Sequence, residues 1–182
     1  MKKILVFITG LLAFVQIGAQ IPADTVGVFA VANQELTRID CLQYSHTKIS
    51  GAVVMAKSKL CFDGQTSKNQ FTAKAVFRLY FGVPSAADVR KYYMFTPSYS
   101  AKDFDIVKFK VKKGRRYLTT STVSVVGGRM GAKQAKDVQV KTVQLKPNVY
   151  EITVTGPAGE YALTPAVNGV AGFAGVFDFT LL

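Results

Sequence analysis

The residues of this chain with the clearest chemical potential are cationic. Lys108, Lys110 and Lys112 recur at every second position, Arg115 and Arg116 follow a Lys113-Gly114 pair, and Arg129, Lys133 and Lys136 come soon after. On an extended strand a period of two puts alternate side chains on one face, so the three lysines predict a ladder of positive charge. Such a face suits acidic glycans or the phosphates of anionic lipid. It suits nucleic acid poorly, because Phe109 falls on the opposite side and no aromatic is left among the lysines to stack on bases. The candidate anion-binding residues are therefore Lys108, Lys110, Lys112, Arg115 and Arg116. Two readings without a ligand compete: a solvated face that keeps the protein soluble, and lysines that stop an edge strand from pairing with another sheet.

Other chemistries weaken when tested against spacing, and no catalytic residue is assigned. His46, the sole histidine, sits in the polar run Gln43-Tyr44-Ser45-His46-Thr47-Lys48 with no G-x-S-x-G elbow to supply a nucleophile. Asp103 and Asp105 are close in sequence, but Lys102 and Lys108 beside them point to charge pairing rather than glycoside hydrolysis. The run from Gly127 to Gly131 lacks the order of a phosphate-binding loop and reads better as part of a hairpin. One histidine and two cysteines without C-x-x-C spacing make no metal site, and nothing calls for a cofactor. A hydrolase with an unrecognised site ranks below a non-enzymatic binding protein.

The first residues set the compartment in which the rest would act. Lys2 and Lys3 precede an apolar run from Ile4 to Val15 and the small-residue ending Gly18-Ala19-Gln20, the order of a secretory signal peptide over residues 1–19. The run is shorter than the roughly twenty residues of a membrane span, and no second one follows. Export to the periplasm, the cell surface or the medium is expected, with one domain over residues 20–182. Loss of residues 1–19, which hold two lysines and no acid, leaves 21 basic against 11 acidic side chains and a net charge of +10. In an oxidising compartment the only two cysteines, Cys41 and Cys61, predict a disulfide, which would stabilise by about 3 kcal/mol through loop closure; two buried thiols are the alternative.

The elements that must position these groups read as strands. From Phe71 to Phe81 the apolar residues Phe71, Ala73, Ala75, Phe77, Leu79 and Phe81 alternate with Thr72, Lys74 and Arg78, which predicts one buried and one wet face. Asp105, Val107, Phe109 and Val111 alternate with the lysines up to Lys113-Gly114, and a return strand from Arg115 to Val125 completes a hairpin. Further strands are expected at Thr25 to Val31, Gly51 to Phe62, Val138 to Leu145, Val149 to Thr155, Glu160 to Pro165 and Gly175 to Leu181. The last four would form a meander, with a β-bulge near Lys141 where the apolar phase shifts. One short helix over about 85–95 is marked by Ser85 and Asp88 after Pro84, then Val89, Tyr92 and Tyr93.

The stretches Asn69-Gln70-Phe71, Phe77-Arg78-Leu79-Tyr80-Phe81-Gly82, Tyr92-Tyr93-Met94-Phe95-Thr96, the run from Val149 through Gly156-Pro157-Ala158-Gly159-Glu160-Tyr161-Ala162-Leu163, and Gly175-Val176-Phe177-Asp178-Phe179 stand out together. They resemble a group of small exported bacterial proteins of unassigned function. The resemblance implies a secreted β protein and carries no catalytic or ligand residue. The combined expectation is an all-β chain, an antiparallel two-sheet sandwich with one short helix, acting as an envelope-associated binding protein. A small outer-membrane β-barrel is the alternative, since alternating strands of about ten residues are what such a barrel requires. Against it stand the capped helix, the cysteine pair, and the stretches Gly51 to Met55 and Val123 to Val126, which are apolar on both faces.

Overall fold

The structure, a computed structural model, describes residues 25–52, 55–86, 92–166 and 175–182. The expected signal peptide and residues 87–91 of the expected helix lie outside them; the described end of that helix is a 3₁₀ turn, Tyr93–Phe95.

Alternation built three sheets where two were expected, and among the described residues none closes into a barrel. The first sheet runs, in spatial order, β11 (Gln139–Lys146), β12 (Val149–Thr155), β6 (Lys74–Tyr80), β1 (Gly27–Ala32) and β2 (Glu35–Ile39). The second runs β10 (Gly127–Met130), β9 (Arg115–Ser124), β4 (Met55–Asp63) and β3 (His46–Ala52), with β8 (Lys110–Lys112) also paired to β9. The third runs β5 (Gln70–Phe71), β14 (Phe177–Leu181), β13 (Gly159–Pro165) and β7 (Phe104–Lys108). Among the described residues the pairings between these strands are antiparallel except that of β5 with β14.

The third sheet is the middle layer. Glu160 to Thr164 and all of β14 are buried, and a strand without a wet side must be covered on both faces. Tyr161, Leu163, Phe177, Phe179 and Leu181 pack with Ala75, Phe77, Leu79, Ile152 and Val154 of the first sheet. The rings of Phe77 and Phe179 lie 4.9 Å apart across that interface. On the opposite face Val107 and Ala162 pack with Leu60, Phe62 and Leu118 of the second sheet.

This layering corrects several expectations. β12 and β13 lie in different sheets, so the last four strands form two hairpins and no meander; the Gly156-Pro157-Ala158 link crosses between layers. The strand expected from Phe71 breaks at Ala73, whose φ of 59° interrupts the pleat, and Phe71 joins β5 instead. The expected strand from Gly51 to Phe62 is divided between β3 and β4. The irregularity in β11 falls between Gln144 and Lys146 rather than near Lys141, because β11 is exposed along its whole length and no buried face forces Val140 and Val143 into one phase. The Lys113-Gly114 turn forms as expected, with both residues at positive φ, 52° and 74°.

Candidate functional site

The lysine ladder is divided at Phe109. β7 ends at Lys108 and pairs with β13, while β8 begins at Lys110 and pairs with β9. Burial of Phe109 drives the break: its ring packs edge-on to Phe62 at 5.2 Å. Lys108 and Lys110 nevertheless converge on one groove of about 280 Å³ on the second sheet, where they meet Lys57, Lys133, Tyr117 and Thr119.

Strand register explains how residues so distant in sequence meet. Lys110 stands opposite Tyr117, Lys59 opposite Thr119, and Lys57 opposite Thr122. A register shift between Ser58 and Lys59 keeps Thr119 and Thr122 on one face although they are three residues apart. That face carries Lys57 and Lys59 away from the core, because Leu60 and Phe62 take the inward positions of β4. Lys48, opposite Lys59 on β3, adds another cation to the same face.

The groove is electrostatically uneven. Lys108 donates a short hydrogen bond to Asp137 and lies 5.1 Å from the Tyr161 ring centroid. The Asp137 carboxylate raises the Lys108 pKa, and the ammonium in turn holds Asp137 below the usual carboxylate range. Among the described residues Lys57, Lys110 and Lys133 have no carboxylate at ion-pair distance.

The other expected anion-binding residues are not in the groove. Lys112 is exposed opposite Arg115, whose Nε lies 3.4 Å from Asp63. Arg116 is a correction: it is 3% exposed and already bound. Alternation along β9 sends it inward with Leu118, where Nη1 meets Asp178 at 2.5 Å and Glu160 at 3.6 Å. Sequence reading did not select Lys57, whose position beside Lys110 depends on the β4–β9 register. The available signal was the Lys57-Lys59 alternation within an expected strand.

Cys41 and Cys61 stand as thiols, so the expected bridge is not formed in the structure. Cys61 is fully buried in β4 between His46 and Tyr117, whereas Cys41 packs at Gly175, where a Cβ would come 2.5 Å from its sulfur. His46 is exposed, with Nδ1 3.1 Å from Ser45 Oγ. Asp103 is used structurally, accepting the Ser100 N–H at 2.7 Å in a capping box. Among the described residues no cluster of three His, Cys, Asp or Glu could hold a metal, and no helix is long and apolar enough to cross a membrane. Comparison of the chain with known protein families, curated proteins and solved structures finds no match.

Proposed function

We propose that this is an exported, non-enzymatic protein that holds anionic groups, the carboxylates and sulfates of acidic glycans or the phosphates of lipid headgroups, in the groove of the second sheet. The observation that carries the reading is that Lys57, Lys108, Lys110 and Lys133 line one groove and that, among the described residues, Lys57, Lys110 and Lys133 have no carboxylate at ion-pair distance. Like charges held together in water repel, and an anion that bridges them relieves the repulsion. Four lysines along one groove fit a surface or polymer with repeated charges better than a single small anion. The signal-peptide pattern of residues 1–19 and the net charge of +10 that remains after it support an extracellular or envelope setting.

The test is binding of the purified protein to immobilised heparin and to vesicles rich in phosphatidylglycerol, with and without Lys57→Glu and Lys110→Glu together. The double variant should lose at least about tenfold in apparent affinity for both at low salt, while unfolding stability changes by no more than about 0.5 kcal/mol. Unchanged binding to both would overturn the reading.

A further inference from the structure

The second sheet outruns its core. Leu60 on β4 and Leu118 on β9 are buried, but the strands continue to Met55 and Ser124, about 17 Å further at the rise of a β-strand. The register pairs Met55 with Ser124 and Ala56 with Val123, so the β3–β4 and β9–β10 hairpins end side by side as one projecting arm. On this arm Ile49, Val123, Val125 and Val126 are exposed by 76, 53, 75 and 93%. Ile49 and Val123 occupy the register face that is apolar in the core at Leu60, but among the described residues no layer covers it here.

The turn at the tip is apolar as well, with its positive-φ glycine displaced to Gly127 just after the turn. A two-residue hairpin turn in water favours Gly, Asn or Asp. The chain follows that rule at Asn33-Gln34, at Lys113-Gly114 and at Asn148, each with a positive-φ residue. At the tip the turn is Val125-Val126. The residues between β3 and β4 are also valines, Val53 and Val54, which lie outside the described residues. Behind the apolar end, Lys48, Lys57 and Lys59 occupy the opposite register face.

We infer that this arm docks on an anionic lipid bilayer, with the Val125-Val126 end at the boundary of headgroups and acyl chains and the lysines among the phosphates. The charge pattern selects this occupant, because an anionic interface answers both the apolar end and its basic flank, whereas a second copy packed on the apolar face would leave Lys48, Lys57 and Lys59, on the opposite register face, without a counter-charge. An apolar edge with a basic flank is the composition that peripheral proteins use at interfaces, where buried apolar area and attraction to anionic lipid add. The inference rests on the reading of the lysine groove and deepens it by choosing lipid as the source of the anions.

Flotation with vesicles of phosphatidylcholine and phosphatidylglycerol, compared with heparin retention, tests it using Val125→Asp with Val126→Asp. These side chains are solvent-exposed, so the variant should fold, and circular dichroism with retained heparin binding checks that it has. Vesicle binding should fall at least about tenfold while heparin retention stays within about twofold, because the substitution removes the inserted apolar surface and leaves the lysines. Vesicle binding that matches the unmodified protein would overturn the docking. So would an apolar-tip dimer in size-exclusion chromatography that the same variant dissociates. Loss of heparin retention in Lys57→Glu with Lys110→Glu speaks only to the groove, so the two readings fail separately.

Discussion

Arg116 on β9 and Asp178 on β14 form a buried ion pair, Nη1 to Oδ2 at 2.5 Å, that fastens the second sheet to the middle one. The pair follows from two alternations. β14 sends Phe177, Phe179 and Leu181 toward the first sheet, which leaves Asp178 and Thr180 facing the second. Around the pair Thr180 Oγ1 donates to Glu160 Oε1 at 2.7 Å, the Ser67 N–H donates to Glu160 Oε2 at 2.9 Å, and the Arg116 guanidinium lies 5.3 Å from the Phe109 ring centroid. One cation thus serves two carboxylates in a site closed to water.

Replacing Arg116 by Met keeps most of the volume and strands Asp178 and Glu160 without a counter-charge. Removal of one partner from a buried ion pair costs about 3–5 kcal/mol. Urea unfolding should show a loss of that order, and a change below about 1 kcal/mol would mean that the network does not hold the layers together. The contrast with Lys110, a neighbour in the expected cationic patch, is sharp, since a solvent-facing substitution there should leave stability nearly untouched.

The periodicity of single strands was legible in the sequence; which layer each strand would join was not. Ala75, Phe77 and Leu79 are buried on the expected face of β6, and Phe109 points to the core as alternation required. Val111, expected beside it, is 44% exposed because β8 is a three-residue strand at the margin of the second sheet and little lies over it. Arg116 reads as one more surface charge until the acids of β13 and β14 are brought opposite it, and those lie more than forty residues away. The groove was half legible for the same reason: Lys108 and Lys110 are local, while Lys57 reaches them only through the β4–β9 register.

Asp105 gives a dependence on pH that differs in sign from the usual aspartate. It is half-buried on β7 opposite Thr164, whose Oγ1 is buried without a hydrogen-bond partner, and desolvation raises its pKa. A carboxyl whose folded pKa is raised contributes stability below its unfolded pKa and loses it as pH rises toward the folded value. At neutral pH the charged form therefore works against the fold. Asp105→Asn should raise the unfolding midpoint at pH 7, and the advantage should close as pH falls to about 3. An Asn variant less stable than the parent at pH 7 would contradict this.

Asp137 sets how much of the groove is open to an anion. Its hydrogen bond to Lys108 neutralises one of the four lysines, and Asp137 is itself exposed, so the pair contributes little to stability and acts mainly on the local field. Asp137→Asn should release Lys108 and tighten binding to heparin or anionic vesicles by about two- to fivefold at low salt, the order expected for one screened charge. The pH profile follows from the directions of the shifts. Asp137 is held below the ordinary carboxylate range and Lys108 above the ordinary lysine range, so the pair persists across neutral pH. On the acid side it dissolves when the pH reaches the lowered carboxyl. The parent should gain affinity through that acid window and approach the Asn variant, whose own binding should show no matching rise. Equal affinity of parent and variant at neutral pH would show that Lys108 faces the anion even while bound to Asp137, and the groove would then count four active cations instead of three.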